Sequence, residues 1–264
     1  MTTADRDWAL VLGASSGFGA AVSREMAAKG LNICGVHLDR RSTIGAAVAT
    51  REACEALGAE ALFFNSNAAN PATIREILDQ LAERCGPGRL RLVFHSLAFG
   101  ALVPLVGDAA KSSATPAQMA MTLEVMASSL VVWTQEAVWR GLPGVGSRVL
   151  AMTSAGSARA MPSYGMVSAA KAALEAFVRQ LAVELGPRGI TVNALRAGVT
   201  DTPALRKIPG HEAMRDAARV INPGGRLTQP EDVAGFVGLL LDAKAGWISG
   251  DVIGVDGGED VRVS

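Results

Sequence analysis

A tyrosine and a lysine two helical turns apart are the residues of this chain best suited to acid–base chemistry. Tyr164 is the only tyrosine, and Lys171 follows it seven positions later. On a helix this spacing places both side chains on one face. A phenol can donate to a developing oxyanion, and a nearby ammonium favours its ionised form. We therefore predict a catalytic pair, with chance pairing on one helix as the alternative.

A serine adds a third candidate catalytic group. Ser154 lies ten residues before Tyr164. Its hydroxyl could donate to a substrate carbonyl. It could also be a polar loop residue that only shapes the pocket, so the sequence leaves both roles open.

A glycine-rich segment near the start of the chain is suited to holding phosphates. Its spacing is G-x-x-x-G-x-G, between an apolar run of strand length and a helical pattern. Small residues let the backbone approach a pyrophosphate, and the next helix presents free N–H groups. An ordinary glycine-rich turn is the alternative. The predicted dinucleotide loop comprises Gly13, Ser15, Ser16, Gly17, Phe18 and Gly19.

The elements that position these groups alternate between strand and helix. Strands are predicted at 8–12, 32–38, 61–64, 89–96, 148–153, 190–195 and 251–255. Helices are predicted at 20–29, 43–57, 71–84, 116–139 and 164–185, with a further helix opening at Pro230. Nearly continuous apolar strands separated by helices predict an α/β fold: a Rossmann-type, doubly wound, seven-stranded parallel sheet with helices on both faces. We expect one domain over residues 1–264, with ligands beyond the carboxyl ends of the strands.

Composition excludes several classes of protein. The chain has 264 residues, 25 basic and 25 acidic side chains and 49% hydrophobic residues, which argues against disorder and against nucleic-acid binding. No uncharged apolar run reaches the ~18 residues of a membrane span. Residues 1–7 lack the pattern of a secretory leader, so we expect a cytoplasmic protein. Cys34, Cys54 and Cys85 form no C-x-x-C pair, so we expect reduced thiols and no metal site.

These motifs resemble those of the short-chain dehydrogenase/reductase superfamily. The likeness extends from the G-x-x-x-G-x-G loop to Val255-Asp256-Gly257-Gly258. Most members have Tyr-x-x-x-Lys, but the place for that tyrosine is Val167 here. The six-residue spacer instead resembles the bacterial enoyl-[acyl-carrier-protein] reductases, in particular the short-chain-like type known from bacilli. The segments 94–99 and 159–164 resemble the same family.

The resemblance implies a set of cofactor contacts. Asp39, Arg40 and Arg41 would meet the adenosine ribose, where a carboxylate suits NAD(H) and arginines suit the 2′-phosphate of NADP(H). We favour NADP(H) narrowly, with a solvated arginine pair as the alternative. The remaining implied contacts are Asn67 and Ala68 at adenine, His95, Ser96 and Leu97 beside the cofactor, Lys171 at a ribose, and Gly198, Thr200 and Thr202 at the nicotinamide carboxamide.

The resemblance also implies a reaction. An NAD(P)H-dependent enoyl reductase of fatty acid synthesis would reduce the 2,3 double bond of trans-2-enoyl thioesters carried by acyl-carrier protein or coenzyme A, as a homotetramer. The first alternative is a carbonyl, 3-oxoacyl or hydroxysteroid-type reductase. Met126 occupies the place of that mechanism's relay asparagine and cannot relay a proton. The second alternative is a non-catalytic dinucleotide-binding regulator.

A helical insert near 200–220 is expected to cover the substrate. Within 203–218, the side chains of Leu205, Ile208 and Met214 could line an acyl groove or pack as an ordinary helix core. Asp201 is expected to cap a helix. The basic residues that could dock an acidic carrier protein are Arg206, Lys207 and Arg215.

Overall fold

The computed structural model describes residues 6–261, and it confirms the predicted fold class. Seven parallel strands form one sheet in the order β3-β2-β1-β4-β5-β6-β7. They are β1 Trp8–Leu12, β2 Asn32–His37, β3 Ala61–Asn65, β4 Leu90–His95, β5 Arg148–Thr153, β6 Thr191–Ala197 and β7 Val252–Val255. The strand order reverses between β1 and β4, and in such sheets ligands bind outside the carboxyl ends of the strands at that crevice.

Eight α-helices accompany the sheet in the described part of the chain. They are α1 Gly17–Ala28, α2 Ile44–Ala56, α3 Pro71–Ala82, α4 Pro116–Leu123, α5 Ser129–Trp139, α6 Gly165–Leu185, α7 His211–Ile221 and α8 Pro230–Leu240. Buried side chains of α3, α5 and α6 pack on one face of the sheet, while those of α1, α2 and α8 pack on the other. Because both faces are covered, the central strands read as continuous apolar runs. No helix of residues 6–261 combines the length and apolarity needed to span a bilayer.

The predicted helix 116–139 is confirmed at its bounds, and the run is helical throughout, but its middle is not α-helical. A π-helical segment, Glu124–Ser128, separates α4 from α5. Next to it, the Ser129 hydroxyl donates to the carbonyl of Val125 at 2.8 Å. A short π-helical segment leaves the apolar periodicity of the helix nearly unchanged, so the sequence pattern does not reveal it.

The predicted insert near 200–220 contains two separate helical pieces. A 3₁₀ turn, Leu205–Lys207, is followed by α7, which runs to Ile221. Pro209 and Gly210 separate them, and Gly210 adopts a left-handed conformation with φ of 77°. A proline followed by a left-handed glycine breaks a helix, which explains the interruption.

Candidate active site

The predicted phosphate loop connects β1 to α1 in a shape that requires glycine. Gly13 has a φ of +93°, and a Cβ there would lie 2.6 Å from the carbonyl oxygen of Ser96. A Cβ on Gly19 would overlap the carbonyl of Gly13. The amide of Gly13 donates to Val36 at 2.8 Å, which anchors the loop to β2. The loop therefore presents bare backbone ahead of the first turn of α1, which fits a diphosphate.

A histidine and an asparagine fix Asp39 beside this loop. His37 Nδ1 lies 2.9 Å from an Asp39 carboxylate oxygen. Asn65 accepts from the Asp39 amide at 2.8 Å and donates to its carbonyl at 3.0 Å. Burial opposes the charge of Asp39, but hydrogen bonds with Thr43, Ser15 and His37 hold its pKa below the usual value. The structure thus brings a carboxylate next to the phosphate loop.

Arg40 and Arg41 follow this carboxylate and are exposed. Within residues 6–261 neither guanidinium forms an ion pair. A 2′-phosphate at this position would meet one anion and two free cations. The carboxylate that suits NAD(H) and the arginines that suit NADP(H) therefore lie side by side, as the sequence predicts.

The turn after β3 is attached to α5 by a contact that sequence reasoning missed. Asn67 accepts from the amide of Ala69 at 3.0 Å, as a turn residue does. The carbonyl of Ala68 accepts from the indole N–H of Trp133 at 2.8 Å. Trp133 is fully buried and 65 residues distant in sequence, so no local signal reveals the pairing. The predicted adenine contacts are thus fixed by a helix on one face of the sheet.

Tyr164 and Ser154 come together at the start of α6. Tyr164 is the N-cap residue of α6 and is 9% exposed. Its hydroxyl donates to Ser154 Oγ over a long 3.5 Å, and Ser154 Oγ also accepts from the amide of Gly156 at 3.1 Å. Burial raises the pKa of Tyr164, so the phenol is a neutral donor at pH 7.

Lys171 lies two turns further along α6 and is 5% exposed. Its ammonium donates to the Met152 carbonyl at the end of β5, at 2.8 Å. Burial lowers the pKa of Lys171 to about 8. The side chain is thus a buried cation near its titration point, placed with Tyr164 and Ser154 at one end of the sheet.

An apolar cluster surrounds the phenol. Tyr164 packs with Met126, Val167 and Ala170. Four partly buried side chains complete this cluster: Leu102, Val125, Met161 and Ile208. Of the three residues proposed for an acyl groove, Ile208 belongs to the cluster, whereas Leu205 and Met214 lie outside it. The surroundings of the phenol are therefore suited to an apolar chain.

His95 ends β4 in a fully buried position. Its Nε2 lies 2.8 Å from Ser129 Oγ. Since that hydroxyl gives its only proton to Val125, His95 must donate from Nε2. Burial, followed by repulsion from Lys171, lowers the pKa of His95 to about 3. The His95 imidazole is therefore neutral at pH 7.

The segment after β6 folds over the phosphate loop. A Cβ on Gly17 would lie 3.3 Å from the methyl of Thr202. The Thr202 hydroxyl accepts from the amide of Leu205 at 3.2 Å, and the Thr200 hydroxyl donates to the Gly198 carbonyl at 2.9 Å. The predicted carboxamide segment and the phosphate loop therefore border the same space.

The expected helix-capping role of Asp201 is wrong. Its carboxylate pairs with Arg206 at 2.8 Å and Arg215 at 3.0 Å, while the hydroxyl of Thr202 caps the 3₁₀ turn. Hydrogen bonding to Arg206 lowers the pKa of Asp201 to about 2. Two of the three predicted carrier-docking cations are thus already paired, and Lys207 remains.

This fold and site define a short-chain dehydrogenase/reductase. The match to a family model described as "Enoyl-(Acyl carrier protein) reductase" covers residues 13–259, so the chain belongs to that family. It is 30% identical over 259 residues to the 1-cyclohexenylcarbonyl-CoA reductase of Streptomyces collinus, covering 97% of this chain and 88% of the relative.

Two further relatives carry the names of different reactions. Enoyl-[acyl-carrier-protein] reductase [NADH] FabI of Nostoc is 32% identical over 200 residues, 76% of this chain and 75% of the relative. 3-Oxoacyl-[acyl-carrier-protein] reductase FabG of Pseudomonas aeruginosa is 29% identical over 250 residues, 95% of this chain and 96% of the relative. The chain is thus an oxidoreductase of a family that uses NAD(P).

Proposed function

We propose that this protein reduces the 2,3 double bond of trans-2-enoyl thioesters, carried by acyl-carrier protein or coenzyme A, in fatty acid synthesis. The observation that carries the proposal is the pairing of Tyr164, at the N-cap of α6, with Lys171 two turns later. An apolar cluster around the phenol, with Met126 in it, supports an acyl substrate. The names of the family and of two relatives agree with this reaction.

The roles of the residues follow from where charge develops. When bound, the dinucleotide would supply a hydride for the β-carbon of the enoyl thioester. The electron pair of the double bond then moves onto the thioester oxygen as an enolate. Tyr164 donates a hydrogen bond to that oxygen, a contact that is commonly the largest single catalytic contribution. A proton reaches the α-carbon from solvent or through Tyr164, and Lys171 would keep a positive charge near the phenol.

The cofactor contacts are proposed on the geometry of the binding crevice. The backbone of 13–19 would hold the diphosphate, Asn67 and Ala68 would meet adenine, and Thr200 with Thr202 would anchor the carboxamide. Lys171 would hold a ribose.

We propose a narrow preference for NADPH, because Arg40 and Arg41 are free while Asp39 is engaged by His37. Arg41→Ala should weaken the binding of NADPH and spare that of NADH. The opposite pattern in cofactor titrations would reverse the assignment.

A ketone reductase is the second candidate, and one contact favours it. Ser154 Oγ lies 3.5 Å from the phenol oxygen, so both hydroxyls could reach one carbonyl. The relative FabG is named for such a reaction. Met126, which cannot relay a proton from the helix, weighs against this candidate.

Crotonyl-CoA and acetoacetyl-CoA, each assayed with NADH and NADPH, separate the candidates. We expect turnover of the crotonyl thioester, and turnover of the keto thioester alone would refute the proposal. Tight cofactor binding without turnover of either would indicate a regulator. Sedimentation would test the homotetramer expected from the resemblance, and cell fractionation would test a cytoplasmic location.

A further inference from the structure

The Lys171 ammonium is buried with little to neutralise it. It donates to one carbonyl oxygen, that of Met152. Among residues 6–261 it forms no ion pair. Removing a cation from water disfavours the charged form, so a buried lysine loses its proton readily unless an anion acts on it. The proposed roles of Lys171 require the charged form.

Glu175 supplies that anion from one helical turn further along α6. Its carboxylate accepts a 2.6 Å hydrogen bond from the hydroxyl of Thr153. Thr153 is buried and stands between Met152, which Lys171 contacts, and Ser154. Attraction by Glu175 raises the pKa of Lys171 against the larger effect of burial. α6 therefore contacts two successive residues at the end of β5, once with a cation and once with an anion.

The other polar groups around this ammonium do not supply the missing negative charge. His95 of β4 is neutral above pH 5, since burial lowers its pKa to about 3. Tyr164 at the N-cap is neutral through the same range, because burial raises its pKa. In β6, Arg196 pairs with Asp260 at 2.7 Å. Glu124 of the π-helical segment is exposed to solvent.

We propose that Glu175, held in place by Thr153, is a positioning residue that keeps the Lys171 ammonium charged and fixes the end of β5 that carries Ser154. The inference rests on the proposed function for its catalytic consequence, but the charge of Lys171 is measurable without any substrate. No local sequence pattern reveals this role, because a glutamate four residues after a lysine is common on helix surfaces.

The expected effect has a definite sign. Lys171 has a pKa of about 8 and loses its charge as the pH rises through that value. Glu175→Gln keeps an oxygen that accepts from Thr153 but removes the negative charge. The titration of Lys171 should then move to lower pH by about one unit, as expected for a partly screened charge pair. Near pH 6 the variant should resemble the native protein.

Lysine NMR measures this titration directly. The chain has five lysines, Lys29, Lys111, Lys171, Lys207 and Lys244, so ¹³Cε signals are few and Lys171→Met assigns the relevant one. The native and Glu175→Gln proteins are titrated from pH 6 to pH 10 without cofactor. Cofactor affinity and kcat/KM for crotonyl-CoA are then followed over the same range. We expect the Lys171 titration and the alkaline limbs of the pH profiles of cofactor affinity and kcat/KM to shift together.

A matched control lies on the same helix. Glu184 is exposed and accepts from Gln180 at 2.6 Å, so Glu184→Gln removes an equal charge far from the lysine. It should leave the titration unchanged. Glu175→Asp should restore part of the native pKa of Lys171, and Thr153→Val, which releases the carboxylate, should lower that pKa by less than Glu175→Gln does.

The proposal is overturned if Glu175→Gln leaves the Lys171 signal titrating within 0.3 pH units of the native value, a bound set by ordinary experimental resolution. An activity loss equal at all pH values would also overturn it, because that pattern marks a purely structural role. If neither thioester is turned over, the proposed function fails while the NMR titration still decides this inference. If Glu175→Gln does not fold, Thr153→Val carries the same test.

Discussion

Removing the Tyr164 hydroxyl should separate catalysis from folding. Tyr164→Phe deletes one oxygen atom and leaves the ring packed against Met126, Val167 and Ala170. That oxygen has one long hydrogen bond, 3.5 Å to Ser154 Oγ. A bond of that length contributes little to stability, so the free energy of unfolding should change by less than about 1 kcal/mol.

The effect on turnover should be far larger. The phenol is proposed to be the donor that meets the enolate oxygen, and loss of one such donor costs roughly 2.7–4 kcal/mol in other enzymes. We therefore expect kcat for crotonyl-CoA to fall about 10²–10³-fold. The dissociation constant of the cofactor should stay within about twofold of native, because Lys171 rather than the phenol is assigned to the ribose.

Three measurements on one preparation test this expectation. Oxidation of NAD(P)H, followed by its absorbance, gives kcat and KM. Fluorescence titration gives the affinity for the cofactor, and thermal unfolding gives stability. Thr50→Val is a suitable control, because it removes another buried hydroxyl, bonded to Ala46 within α2. The control should retain native turnover.

The reasoning is refuted if Tyr164→Phe retains more than about a fifth of native kcat, since that corresponds to only ~1 kcal/mol. A large rise in the cofactor dissociation constant would also count against it. In that case the phenol would contribute to cofactor binding, and its assignment to the substrate oxygen would be wrong.

Two further substitutions test the cofactor crevice. Gly19→Ala forces a Cβ against the carbonyl of Gly13 and so displaces the loop. Losing one charge-assisted hydrogen bond from the loop backbone to the diphosphate costs about 1.5–3 kcal/mol. Fluorescence titration should therefore show cofactor affinity falling about ten- to hundredfold. Trp133→Phe leaves the Ala68 carbonyl buried without its indole donor. Thermal unfolding should show that the free energy of unfolding falls by about 1–3 kcal/mol, and cofactor binding should become weaker.

Each of these two variants has a control in the same chain. Gly235 in α8 has open space at its Cβ, so Gly235→Ala should leave cofactor affinity at the native value. Trp139, which ends α5, is largely exposed, and Trp139→Phe should change neither stability nor affinity appreciably. If either control matched its test variant, the contact identified in the structure would not be the cause.

Sequence patterns predict the structural features that depend on residues close together in the chain. The strands of the sheet, the glycine loop and the spacing of Tyr164 and Lys171 are all local patterns, and the fold that they predict is the one observed. The contacts that sequence reasoning missed join distant segments. Trp133 reaches Ala68 across 65 residues, and Asp201 pairs with Arg215 fourteen residues away instead of capping a helix. Such pairings depend on how elements pack, which no single segment encodes.

The placement of Tyr164 at the N-cap of α6 links these electrostatic observations. Burial alone favours the neutral phenol and the neutral amine, which would leave the site without charge. The amino-terminal end of a 21-residue helix carries partial positive charge, and the Lys171 ammonium adds a full one two turns later. We propose that both favour the enolate that forms at the phenol oxygen. Glu175, one turn beyond Lys171 in α6, is proposed to maintain the ammonium, so its charge would support the site without competing for the substrate oxygen. One helix can thus carry the donor, the cation and the counter-charge in a fixed order, because residues seven positions apart lie on one face of a helix.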